Sequence, residues 1–163
     1  MYNNQNCSAT ISVTRVLDKV KKQFEREHAE LELRGIPKNA VAPYVFVSAR
    51  SVQFEAIVSG LSVSSMCEKE CSHVKCNVTV PLAVTLTDAN NVCFTCKSKI
   101  TVGEEVNLHL PEPCSFPFEI VADAVCNCPW GVVIGDKVDC RACLTVYTKV
   151  VTKADMLIRG IYV

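Results

Sequence analysis

An excess of either charge is the first thing this chain lacks. Seventeen lysines and arginines balance 17 aspartates and glutamates. A nucleic-acid binder normally needs a basic face, so this balance argues against that class. A neutral surface also resists self-association poorly, which turns attention to assembly. Glycine is sparse, with six residues, and none sits in a Gly-x-Gly-x-x-Gly or P-loop pattern. Dinucleotide binding and phosphate cradling therefore have no scaffold. No stretch approaches the ~20 apolar residues that span a bilayer as a helix, so no membrane partner is expected. The opening MYNNQNCSAT has neither the basic start nor the apolar run of a secretory signal. The expected routes are retention inside a cell, or arrival at an oxidising surface without a signal peptide. Histidine is limited to His28, His73 and His109. No acid pair and no Cys–His couple stands out, so neither an enzyme nor a cofactor is expected.

Cysteine is what the chain has in excess. Its 11 residues are Cys7, Cys67, Cys71, Cys76, Cys93, Cys96, Cys114, Cys126, Cys128, Cys140 and Cys143. Such density reads as a disulfide framework in an oxidising place or as metal sites in a reducing one. The number is odd, so full internal pairing leaves at least one thiol for a bond between molecules.

Residues 1–11 read as a flexible arm carrying Cys7, rich in Asn and Gln and without periodicity. Residues 12–35 read as an amphipathic helix. Val13, Val16, Leu17, Val20, Phe24 and Leu31 fall at helical spacing, the other face is charged, and Gly35 and Pro37 stop it. From Tyr44 the period changes to two. In HVKCNVTVPLAVTL, Val74, Cys76, Val78, Val80, Leu82, Val84 and Leu86 share one face, and Asp88 to Asn91 make a turn. Six to eight such segments predict an antiparallel β-sandwich over residues 44–163, mainly β, in one domain with the helix and arm.

Two CxxC pairs, Cys93/Cys96 and Cys140/Cys143, match zinc spacing. In an extended strand, however, positions three apart point to opposite faces, which would keep each pair from sharing an ion. Thioredoxin-like chemistry needs a helix after CxxC, and none is expected. The alternative reading keeps a cytosolic zinc-binding module, with Cys93, Cys96, Cys140 and Cys143, or Cys67, Cys71, His73 and Cys76, as ligands. The leading reading is disulfides. Cys76, Cys96 and Cys140 are expected inward, where they pair or simply pack as small hydrophobes. Cys67, Cys71, Cys93, Cys114, Cys126, Cys128 and Cys143 are expected on faces, edges or turns. Cys7, Cys126 and Cys143 are the candidates for bonds between subunits. The other eight are candidates for pairing of either kind, because bridging needs Cα atoms within about 7 Å and spacing alone does not give connectivity.

The segments CNVTVPLAVTLTDANN, PFEIVADAVC and VDCRACLTVYTKVVTKADMLIRGIYV resemble the SPOCS-type β domain of sporulation proteins in spore-forming Firmicutes, over roughly residues 55–163. The arm-plus-sandwich layout is also similar to bacterial endospore appendage subunits, whose N-terminal arm carries cysteines that bond to neighbours. The resemblance implies a structural subunit of a spore coat, spore surface or extracellular filament. Its partners would be copies of itself and other spore-surface proteins. Spore-coat components are released on lysis of the mother cell, which fits the missing signal peptide.

Overall fold

The computed structural model describes residues 6–65, 71–112 and 115–161, and the side chains of 9–65, 71–112 and 115–158 within them. The elements are β1 Asn6–Glu32, β2 Val45–Ser51, β3 Glu55–Ser65, β4 Ser72–Thr87, β5 Cys93–Leu108, β6 Glu119–Ile134 and β7 Lys137–Ile161. All pairings are antiparallel and belong to one seven-stranded sheet.

β4 follows its sequence pattern closely. Val74, Cys76, Val78, Val80, Leu82, Val84 and Leu86 are all buried, and Lys75 and Asn77 are exposed. It pairs with β5 from Ser72↔Leu108 to Thr87↔Cys93 without a bulge. The turn between them is organised by Asp88. Its Oδ1 accepts the Asn90 and Val92 N–H groups at 2.8 and 2.9 Å, while Asn91 takes φ 61°. Asn tolerates that left-handed conformation better than most residues.

On the other edge of β4 lie β2 and β3, which act as one interrupted strand. β2 covers Leu82 to Thr87 and β3 covers Ser72 to Thr79. Both also touch β6, at Ala49↔Cys128 and at Ala56↔Ala122. They thus join a layer of β5 and β4 to a layer of β6, β7 and β1. The sheet curls until the chain just past β1 meets β5 at the backbone bridge Arg34↔Lys97, which side chains supplement. Lys22 Nζ donates to the Glu105 carbonyl, and the His109 N–H donates to Asp18 Oδ2 at 2.7 Å. The core fills the interior of this curl.

Residues 12–35 are not a helix, which corrects the reading from periodicity. β1 runs through them and pairs with β7 from Asn6↔Ile161 to Glu32↔Lys137. It also takes in residues 6–11, which composition had assigned to a flexible arm; residues 1–5 lie outside the described part. The cause of the misreading is two register shifts, between Val16 and Asp18 and between Arg26 and Ala29. Each bulge adds one residue and reverses which parity faces inward. Val13 is inward before the first shift. Asp18, Val20, Lys22 and Phe24 are inward between the two, and Ala29, Leu31 and Leu33 after the second. Apolar positions on a twice-shifted strand fall three, four and seven apart, which is also helical spacing.

Candidate functional site

The strand alternation decides where each thiol lies. Cys76 and Cys96 are buried on β4 and β5, and burial pushes both thiols above the ordinary value, with the Glu104 charge adding to Cys76. Cys93 is exposed at the start of β5, 3.4 Å from Thr87 Oγ1. Cys71 and Cys143 are half-buried. Cys7 lies in β1 opposite Gly160, and Cys67 and Cys114 lie outside the described residues.

Cys126 and Cys128 depart from expectation. Expected on faces, edges or turns, they are 1% and 0% exposed. β6 does not stop at Pro129. It carries a bulge between Asn127 and Trp130 and continues to Ile134. Proline is tolerated at a bulge because no ladder donor is needed there. The missed signal was the run Ala122, Ala124, Cys126, Cys128, which keeps one parity and is buried throughout. A bond from Cys126 to another molecule would require the curled sheet to open.

Cys126, Cys128 and the equally buried Cys140 of β7 form one thiol cluster. Cys126 Sγ lies 4.0 Å from Cys128 Sγ, and Cys140 Sγ lies 3.5 Å from the Ala29 carbonyl oxygen. Cys128 is pushed up to about 12, foremost by its hydrogen bond with Cys126 and further by burial, against an opposing contribution from Cys140. Cys140 is pushed up by its hydrogen bond with Cys128 and by burial. The first candidate zinc set is not brought together, and the second includes Cys67, which lies outside the described residues. Cys140 is in the core while Cys143 looks outward, Cys96 is buried while Cys93 is exposed, and His73 bonds Asn107 at 2.9 Å on the face opposite Cys76. Among the described residues no group of three or more His, Cys, Asp or Glu side chains could hold a metal ion.

A second polar feature interrupts the core. Glu104, 2% exposed, accepts a hydrogen bond from Thr148 Oγ1 at 2.6 Å through Oε2, and its Oε1 has no protein partner. The core falls into a main apolar cluster, which includes Cys76, and a smaller one of Val74, Val106, Leu108 and Val150.

The third feature is a ribbon. β6 ends its pairing with β7 at Glu119↔Val151, whereas β1 continues to pair with β7 from Arg15↔Thr152 to Asn6↔Ile161. Among the described residues no third strand joins this stretch. Its two faces differ. Ala9↔Ile158, Ile11↔Met156 and Val13↔Ala154 form one apolar face, and Thr10↔Leu157, Ser12↔Asp155 and Thr14↔Lys153 form a mostly polar one. The apolar face continues the parity of Leu144, Val146, Thr148 and Val150, all buried in the body. It is thus the core side of the sheet carried past the end of the opposite layer. Met156 there is 53% exposed and Ile158 46%. Beside the root of the ribbon, β3 and β6 diverge into an apolar groove of about 860 Å³ lined by Leu61, Val63, Leu110, Phe118 and Ile120.

Compared with protein-family models, curated proteins and solved structures, the chain matches none.

Proposed function

We propose that this chain is a structural, self-assembling subunit of a spore surface layer or extracellular filament, acting through contacts with its own copies and not as an enzyme. The ribbon is the observation that carries this reading. An isolated two-stranded ribbon is marginally stable in water. One with a continuous apolar face gains stability when a second layer covers that face, at roughly 25 cal/mol per Å² removed from water. Every copy offers the same bare face with polar residues behind it, so two copies can cover each other about a two-fold axis. The groove beside the ribbon root supplies a second apolar contact area, and the exposed strand edges of the ribbon suit strand addition. Covalent locking would then fall to the half-buried Cys143 and the exposed Cys93, with Cys7 of the ribbon strand as a further candidate.

Light scattering on the size-fractionated protein tests the reading, with the double variant Ile11→Lys/Met156→Glu as control. Wild type should form multimers, and the variant should be monomeric with an unchanged strand spectrum. A monomeric wild type across the micromolar range rejects self-assembly. Non-reducing electrophoresis tests the covalent part separately: a monomer band both with and without thiol reductant removes the intermolecular disulfide.

A further inference from the structure

We propose that Lys149 and Asp123 condense into an intramolecular amide, an isopeptide bond that ties β7 to β6 across the outer face of the sheet, with Glu55 of β3 relaying the protons. The bond lies within one chain and is independent of assembly. Lys149 lies between the buried Thr148 and Val150, and Asp123 between the buried Ala122 and Ala124, so strand alternation turns both outward. Lys149 Nζ donates to Asp123 Oδ2 across the diagonal of a four-residue square, in which Lys149 stands opposite Val121 and Asp123 opposite Tyr147. Val121 and Tyr147 are half-buried and flank the contact on both sides, which narrows the access of water. The Lys149 side chain is 22% exposed and that of Asp123 36%, the least among the lysine and arginine ion pairs of the described residues.

The neighbours distinguish this contact from the other ion pairs. Lys19 of β1 stands directly opposite Lys149, and Glu55 of β3 directly opposite Asp123. Residues so placed share a face with Cβ atoms ~5 Å apart, and like charges there repel. Four neighbouring strands thus carry a row of two cations followed by two anions, with one attraction at its centre and a repulsion on either side. An amide at the centre is neutral. It removes both repulsions while keeping β6 and β7 joined. Proximity favours it as well: well-aligned groups held in contact reach effective molarities of ~10⁵ M or more, which places condensation ahead of hydrolysis.

The step needs no oxidant and no co-reactant. Nζ starts with three protons and Asp123 as a carboxylate. Glu55 takes one proton from Nζ and delivers it to Asp123 Oδ2, leaving an amine beside a carboxylic acid. The Nζ lone pair attacks Asp123 Cγ, and the N–C bond forms. A second proton passes from Nζ through Glu55 to the same oxygen, the Cγ–Oδ2 bond breaks, and one water leaves. The amide keeps the third proton, and Glu55 ends as it began.

The test is the mass of the whole chain, reduced and denatured, after prolonged incubation of the folded protein at neutral pH. The expected mass lies one water below the sequence mass. A tryptic digest should contain a branched peptide joining residues 123 and 149, with no cut after Lys149. Lys149→Arg, which preserves the ion pair, and Asp123→Ala, which removes it, should both keep the full sequence mass. Glu55→Gln should slow formation of the branched peptide ~100-fold. A wild-type chain at full mass overturns the proposal, and that result needs no variant to fold. So does a lost water without the branched peptide, or a branched peptide that persists in Lys149→Arg. An undiminished rate in Glu55→Gln overturns the relay.

Discussion

Glu104 is an acid inside an apolar core, held on one side by Thr148 Oγ1. Removing the donor alone should be costly, because the carboxyl would stay buried without a protein partner. Thr148→Val should lower unfolding stability by about 1–3 kcal/mol. The double change Glu104→Leu/Thr148→Val removes both polar groups together and should recover most of that loss. Urea unfolding of the two variants beside wild type decides the point. Gly131 belongs to the same scale. A Cβ there meets Cys140 Cβ, Val138 Cγ1 and, at 3.2 Å, the Asp139 carbonyl oxygen. Gly131→Ala should therefore destabilise by about 1–3 kcal/mol through overpacking, whereas Gly135→Ala would test positive φ without a clash. The two midpoints in one denaturant series separate these causes.

At the scale of the elements, the seam between β1 and β5 is held in part by a carboxylate. Burial tends to raise the Asp18 carboxyl, but hydrogen bonds from the His109 backbone and side chain and from the Lys19 N–H outweigh it and hold the group below its ordinary value. A depressed folded value means that the stabilisation is complete above the ~3.9 of an unfolded aspartate and fades as pH falls through the folded value. Asp18→Asn should therefore lower the melting temperature at neutral pH and converge with wild type in acid. Melting curves taken from pH 7 to 2 would show the two lines meeting; parallel lines would deny the linkage. β1 is also where sequence reading went furthest astray. β4, free of bulges, showed its buried face residue by residue. β1 changes parity twice, and no local pattern in residues 12–35 marks where a distant strand imposes the shift. β6 lies between these cases. Its Ala122 to Cys128 alternation was visible, but Pro129 and Gly131 looked like punctuation because a bulge borrows the residues of a turn. The thiol cluster went unseen for the same reason, since its members come from two strands whose register is set by that bulge.

At the scale of the whole molecule, all regular structure in the described residues is strand. Far-UV circular dichroism should give a β-type spectrum without helical minima, and a helical component of some 20 residues would contradict β1. The bare ribbon face and the absence of net charge point the same way, toward association. The proposed multimers should loosen when the ribbon face is made polar and should respond weakly to salt, since the proposed contact is apolar. Sedimentation at low and high ionic strength checks this; dissociation by salt alone would assign the contact to ion pairs instead.

The pairing of the first strand with the last has a consequence for biogenesis. As the polypeptide leaves the ribosome, β1 is made long before its mate, and every rung from Glu32↔Lys137 to Asn6↔Ile161 must wait until β7 emerges. Such distant closure is slow and leaves an uncovered edge in the nascent chain, where it invites trapping by neighbours on the same message. A covalent fusion placing β1 directly after β7 would turn the most distant contact into a hairpin and should speed refolding several-fold.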